Sequence, residues 1–442
     1  MNARRVSHRF LGRVLLAAAL LFTFTTSPFA SGSGHGRPGN EVGPGVYRLD
    51  GQELTLPLDD LAPLGRIVAN ARFVGVGEPI HTSGGFYQAK ARVFRYLVEE
   101  EGFRVLAWES PFAWGESLEA FLQDCHQPAL DFLTANRVLF DTHRSTETAE
   151  LLQWMCDWNE SHPNDRLHFY GFDIQRQALP SAEALIAYLA QIGFPAGDPR
   201  IAGIRACDGV DETFFPARPF PPERYAQCHD ALTEVSAYFD QHQRRLERAT
   251  SKEALGWARV HLVIEQSWQE QQHYSAAGDF PSLFAARDRG MAYLAEAIHH
   301  LRHRHQRVML WAHNGHLTRQ GTEYVGAPSL GDVLDESLGR RYKILGVVGS
   351  EIYANRPPIG QCGLQNLTVP GYPQVEDLLA AVDEGALLVD LDPRGHQASF
   401  FDPGTVYAVA DGLMQPAAGF DGLLYLPVSL AMESLAYAPP CP

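Results

Sequence analysis

The chain has 442 residues, of which 45 % are hydrophobic and 20 % charged, so it can bury a large core and is neither disordered nor fibrous in composition. A formal charge of -16 and the lack of any long Lys/Arg run exclude a protein that tracks nucleic-acid phosphates. The same balance argues against an anionic membrane surface as partner.

Residues 1–30 break the average composition: Arg4, Arg5, Arg9 and Arg13 precede an apolar run from Val14 to about Phe24, followed by small and polar residues. This is the pattern of a secretory signal peptide, and the run is shorter than the roughly 20 apolar residues that span a bilayer. The expected product is exported, periplasmic or secreted, with no stable membrane insertion after cleavage. Residues 31–45 (SGSGHGRPGNEVGPG) lack periodicity and read as a flexible Gly/Ser/Pro leader. A single folded domain is expected over 46–442.

That domain alternates short β-rich apolar runs with longer helical patterns, which predicts an α/β fold with a mostly parallel central sheet flanked by helices. Four runs read as buried strands: Arg72–Val76 (RFVGV), Arg104–Trp108 (RVLAW), Leu167–Tyr170 (LHFY) and Arg307–Trp311 (RVMLW). Between the first two, Val93, Phe94, Leu97 and Val98 recur at helical spacing within Tyr87–Glu101, and Gly102 is a good helix stop. A helical insertion or lid is expected over about 181–275, broken by a Pro- and Phe-rich loop at Asp208–Pro222. Weaker strand signals at Lys343–Val348, Ala386–Val389, Val406–Val409 and Leu423–Leu426 suggest that the sheet continues. Six cysteines without metal-site spacing fit disulfides in an exported protein. Sequence proximity favours Cys207 with Cys228; Cys125 with Cys156 and Cys362 with Cys441 is the simplest completion, and free buried thiols are the alternative.

Each of the four strands is followed by ionisable residues: Glu78 and His81, then Glu109, then Asp173, then His313 and His316. Ligands of open α/β sheets bind at the carboxyl ends of strands, so these groups converge if the strands are parallel neighbours. Imidazole titrates near neutral pH and a neighbouring carboxylate raises its basicity, which suits His81 to take a proton from water. Glu78 would orient His81 or the water, and His313 or His316 would stabilise a developing oxyanion.

The motifs GEPIH (Gly77–His81), GFRVLAWE ending at Glu109, STETAELLQW (Ser145–Trp154), YGFDIQ (Tyr170–Gln175), Arg287–Asp288 and WAHNGH (Trp311–His316) resemble the erythromycin esterase family in order and spacing. The resemblance implies hydrolysis of an ester or lactone, such as a macrolide lactone, by His-activated water without a covalent intermediate or a required metal. It implies His81 as general base, with Glu78, Glu109, His313 and His316 lining the site and Lys90, Asp173, Gln175 and Asn314 facing substrate. Where the family has an Arg in the helix after GExxH this chain has Lys90, which lacks a planar fork, so the substrate or its orientation is expected to differ from that of macrolide-degrading members.

Dinucleotide binding is disfavoured because Ile80 stands where the third glycine of the fingerprint belongs. No G-x-S-x-G elbow occurs, which argues against a serine hydrolase. No cofactor is expected, but Glu78, His81, His313 and His316 also form a ligand set for a divalent ion such as Zn²⁺, which leaves a metal hydrolase as the alternative. A non-catalytic envelope binding protein retaining the fold is a third reading.

Overall fold

The Val-, Ile- and aromatic-rich runs form strands buried on both faces, as expected of parallel strands covered by helices. A computed structural model describes residues 40–175, 180–207, 221–320, 326–356, 361–391, 401–402, 404–410 and 412–437. The strands are β1 (Glu41–Gly43), β2 (Val46–Arg48), β3 (Phe73–Val76), β4 (Phe103–Pro111), β5 (His168–Asp173), β6 (Arg307–Trp311), β7 (Tyr342–Arg356), β8 (Gln361–Gln365), β9 (Leu387–Asp390), β10 (Tyr407–Val409), β11 (Gly412–Met414) and β12 (Gly422–Ser429). The helices used below are α1 (Leu64–Ile67), α2 (Gly84–Glu99), α3 (Phe112–Asp124), α4 (Ala129–Ala135), α5 (Thr146–Ser161), α6 (Pro180–Gln191), α7 (Pro199–Ala206), α8 (Pro222–Ala249), α9 (Lys252–Ala277), α10 (Phe280–Leu301), α11 (Asn314–Leu317) and α12 (Leu330–Leu338).

The main sheet has the order β1-β2-β9-β12-β7-β3-β6-β4-β5, with β8 hairpinned onto β7. Its centre, β12-β7-β3-β6-β4-β5, is parallel throughout, and the antiparallel pairs lie towards β1 and β8. The four strands read from the sequence, β3, β6, β4 and β5, are consecutive in it. Two apolar layers enclose the sheet: one holds Phe86, Phe94, Leu97 and Met155 from α2 and α5, the other Trp268, Leu294, Ile298 and Leu334 from α9, α10 and α12.

Helix α2 begins at Gly84 rather than near Tyr87, and Gly102 adopts a positive φ of 71° just past its end, a conformation open to glycine. Helices α6 to α9 match the expected insertion and share a separate apolar cluster that includes Leu185, Leu189, Ile204, Val235, Phe239 and Leu262. Caps at Ser145, Ser251 and Asp279 start α5, α9 and α10, each side chain accepting a backbone N–H of the first turn.

Two expectations are corrected. The end of the leader is structured, because β1 pairs with β2 around Gly45 (φ 69°) and β2 joins β9. The Val406–Val409 run leaves the main sheet, since β10 pairs with β11 in a small hairpin of their own. The signal peptide expected over 1–30, the loop Asp208–Phe220 and Cys441 lie outside the described residues. Helices long and apolar enough to cross a membrane are absent among the described residues.

The disulfide favoured by sequence proximity, Cys207–Cys228, joins α7 to α8, and Cys125–Cys156 of the simplest completion joins the end of α3 to α5. The latter closes a loop with a sequence separation of 31. A Cys125→Ala/Cys156→Ala variant is therefore expected to lose about 3–4 kcal/mol of unfolding free energy by loop-closure entropy, read by urea denaturation.

Candidate active site

The register brings Val76, Trp311, Trp108 and Gly171 into one row across β3, β6, β4 and β5. The residues that follow them therefore leave one edge of the sheet together. Beneath that edge Trp108 and Trp311 stack with centroids 3.9 Å apart at 14°. The pair forms a flat apolar floor.

Glu78 is fully buried and shared. Its Oε1 accepts from His81 Nδ1 at 2.8 Å, and its Oε2 accepts from Lys90 Nζ. Lys90, on α2, also donates to the Ala312 carbonyl at 3.3 Å and sits 4.4 Å from the centre of the Trp311 ring. Burial alone would raise the Glu78 carboxyl, but the Lys90 ammonium and His81 outweigh it and bring it down to about 2. Burial brings Lys90 down to about 8 against the opposing pull of Glu78. With Nδ1–H directed at Glu78, His81 has Nε2 as its acceptor; that atom has no partner among the described residues, and the side chain is 21 % exposed.

A second group lies beside the first. Arg287 on α10 donates to Asp173 (2.5 Å) and to Glu109 Oε1 (2.8 Å), and Glu109 Oε2 accepts the His313 backbone N–H at 2.8 Å. Burial would raise the Glu109 carboxyl, but His316 and Arg287 hold it well below the carboxylate range. His316 Nδ1 faces Asp288 Oδ1 at 2.7 Å, while Arg287 NH1 lies 2.7 Å from Nε2. Burial and the Arg287 guanidinium would lower the His316 pKa, but Asp288 and Glu109 outweigh them and raise it to about 10. Gln175 turns back on Asp173, donating from its backbone N–H (2.8 Å) and its amide (3.2 Å).

The residues expected at the site thus come together, but in unequal roles. Lys90, expected to face substrate, is fully buried under Glu78. Asn314 likewise faces the protein: its amide donates to the Val347 carbonyl (2.7 Å) and accepts the Val347 N–H (3.2 Å), clamping α11 to β7. A side chain at Gly77 would meet that amide, since a Cβ there would lie 1.9 Å from Asn314 Oδ1. His313 donates from Nε2 to the Pro79 carbonyl at 2.8 Å and accepts the Gly315 N–H at Nδ1 (3.1 Å). Its ring centre is 5.5 Å from that of His81.

Sequence reasoning missed His143. It sits on the 3₁₀ turn Asp141–His143, buried, with its ring 5.2 Å from that of His81 and edge-on to it. Only its place just ahead of the STETAELLQW motif marked it. Arg287 and Asp288 were recognised as a motif without a role. The loop carrying His81 continues into Thr82 at φ 70°, a strained conformation for a β-branched residue. It is held because Asn355 N donates to Thr82 Oγ1 (3.1 Å) and Met432 N to Thr82 O (3.1 Å).

The metal alternative changes membership. Among the described residues the group able to hold an ion is Glu78, His81 and His143, with ligand atoms within 4.8 Å of one another. His316 is instead held by Arg287 and Asp288, and His313 by Pro79 and Gly315. The ammonium of Lys90 on the same Glu78 carboxylate fits a divalent ion poorly, because it already neutralises the one acid of the set.

Removing Lys90 leaves a buried carboxylate unpaired. Lys90→Met is expected to cost about 3–5 kcal/mol in urea unfolding, and Glu78→Gln/Lys90→Met to recover most of it, because both charges are then gone. Since the folded Glu78 pKa lies near 2 against 4.5 unfolded, its stabilisation is complete above pH 4.5 and lost as pH falls through 2. Unfolding free energy measured across that window is expected to fall less steeply in Glu78→Gln than in the wild type.

The family model for erythromycin esterase matches residues 98–429, a stretch that begins after Glu78, His81 and Lys90. The chain is similar to the putative hydrolase YbfO of Bacillus subtilis, 22 % identical over 356 residues that cover 75 % of this chain and 76 % of that protein. It is also similar to erythromycin esterase type II of Escherichia coli, 22 % identical over 320 residues that cover 65 % and 71 % of the two. The crystal structure of a Bacillus cereus protein superimposes with a TM-score of 0.72 at 19 % identity, over 88 % of this chain and 96 % of that one, and so shares the fold. With the family match spanning most of its length, the chain belongs to the erythromycin esterase family of hydrolases.

Proposed function

We propose that the chain is an exported, periplasmic or secreted, hydrolase that cleaves a carboxylic ester or lactone by direct attack of water, with His81 as general base. One observation carries this reading: His81 gives Nδ1–H to a buried carboxylate and keeps Nε2 free at the carboxyl edge of the sheet. In that arrangement Nε2 takes a proton from water as the oxygen adds to the acyl carbon, and Glu78 stabilises the imidazolium that forms. The tetrahedral intermediate then collapses; the alkoxide leaves with the proton held by His81, giving acid and alcohol. Both histidines expected at the oxyanion have their ring nitrogens engaged, His313 with Pro79 and Gly315 and His316 with Arg287 and Asp288, so neither is assigned as the oxyanion donor.

Erythromycin is the first ester to test, because one relative is named for it. Purified protein is expected to add one water to erythromycin or to a member of a set of lactones and aryl esters, read by mass spectrometry. His81→Ala is expected to lower kcat by about 10²–10⁴-fold, and Glu78→Gln to follow it. Hydrolysis of no member, or full activity in His81→Ala, overturns the reading. The grouping of Glu78, His81 and His143 favours a metal hydrolase as the second reading. Dialysis against chelator is expected to leave activity unchanged, and loss restored by Zn²⁺ would select the metal.

A further inference from the structure

His143 lies in a specified environment that the general-base scheme does not use. Its Nδ1 is 2.5 Å from the Tyr87 hydroxyl, the Trp108 ring meets it edge-on at 5.7 Å, and 1 % of the residue is exposed. Tyr87 has one phenolic proton. The Thr142 carbonyl, 3.0 Å away, can only accept it. The set closes when the phenol donates to Thr142 and its oxygen receives the Nδ1–H of His143. His143 then has Nε2 as a bare acceptor, with no partner among the described residues.

His81 carries the same tautomer, because its Nδ1–H goes to Glu78. Ring nitrogens of the two histidines lie within 4.8 Å of each other, as does a Glu78 oxygen. One water that donates both hydrogens through bonds of about 2.8 Å bridges acceptors roughly 4.6 Å apart.

We propose that His143 is a positioning residue for the hydrolytic water, its Nε2 accepting one hydrogen of the water while His81 Nε2 accepts the other. This rests on the hydrolase reading above. The two rings differ in what backs them. His81 is backed by a carboxylate and keeps the proton it receives, whereas His143 is backed by a phenol in a dry pocket. His143 therefore holds one O–H without competing for the proton, and fixes the oxygen lone pair that attacks the acyl carbon. The O–H directed at His81 breaks, the O–C bond forms, and the O–H directed at His143 survives into the product acid.

The test has two arms. Histidine ring ¹⁵N spectra of the wild type, with His143 assigned by the signals missing in His143→Gln, are expected to show a neutral Nδ1–H tautomer unchanged between pH 5 and 8. An Nε2–H tautomer, or protonation in that range, overturns the proposal whether or not a substrate is known. With 4-nitrophenyl butyrate and erythromycin as probes, His143→Ala and Tyr87→Phe are expected to lower kcat by about 10–100-fold with little change in KM. The acid limb of kcat/KM should stay in place, because the base is still His81. Added imidazole should restore part of the His143→Ala rate. Wild-type kcat in a His143→Ala protein that unfolds at the wild-type urea midpoint overturns the proposal, as does Zn²⁺ binding that shifts the His81 and His143 signals together and is needed for activity. A wild type inactive on every probe sinks the hydrolase reading instead, while the spectra still decide the tautomer.

Discussion

The site depends on one buried carboxylate with two partners. An ionised Glu78 in the dry interior would cost several kcal/mol if alone, and it is tolerated because Lys90 is buried beside it. The lysine matters as a point charge. An ammonium takes one carboxylate oxygen and leaves the other for His81, whereas the planar fork of an arginine matches both oxygens at once. Lys90 is also enclosed between Glu78, the Ala312 carbonyl and the face of Trp311, so it meets no substrate. The Lys-for-Arg difference therefore bears on how Glu78 orients His81, and carries no direct information about which substrate enters.

Around that pair the protein fixes direction rather than adding charge. The stacked Trp108 and Trp311 make a rigid floor, and Arg287 ties α10 to the ends of β4 and β5 through Glu109 and Asp173. Glu109 then grips the backbone of His313, and Asn314 clamps the following turn to β7. The three acids Glu109, Asp173 and Asp288 are each held by Arg287, His316 or backbone N–H donors, including that of Leu330 to Asp288. Such a network is preorganised, since every polar group in it already has its geometry before substrate arrives.

What the sequence made legible follows from the physics of parallel sheets. Strand runs are local patterns, and the rule that functional groups gather at carboxyl ends converts them into a site without knowledge of strand order. Glu78, His81, Glu109, Asp173, His313 and His316 were found that way. His143 was not, because it comes from a 3₁₀ turn with no periodic signal and reaches His81 only through tertiary packing. The inward turn of Lys90 and Asn314 was equally hidden, since a polar side chain near a strand end looks the same in sequence whether it meets ligand or backbone. The β1–β2 hairpin was lost for the opposite reason: Gly- and Pro-rich composition suggested a free leader, and pairing with β9 overrode it.

The distance between the two histidines is set by a segment that carries neither. Residues 430–435 run between their loops. On one side Leu430 O accepts the Gly84 N–H (2.7 Å), Met432 N–H reaches Thr82 O (3.1 Å), and Ser83 bridges Ala431. On the other, Glu433 O accepts the Thr146 N–H (3.0 Å), Leu435 N–H reaches Arg144 O (2.8 Å), and Ser145 bridges Ser434. The strap thus stitches the loop after His81 to the loop after His143, with backbone bonds that no side-chain substitution removes. It also explains how Thr82 keeps a left-handed conformation worth about 1–3 kcal/mol of strain, because the strap and Asn355 over-determine it. A site assembled from residues 78–143 therefore acquires its spacing only when the last strand has joined the sheet, which couples the geometry at His81 to completion of the whole fold.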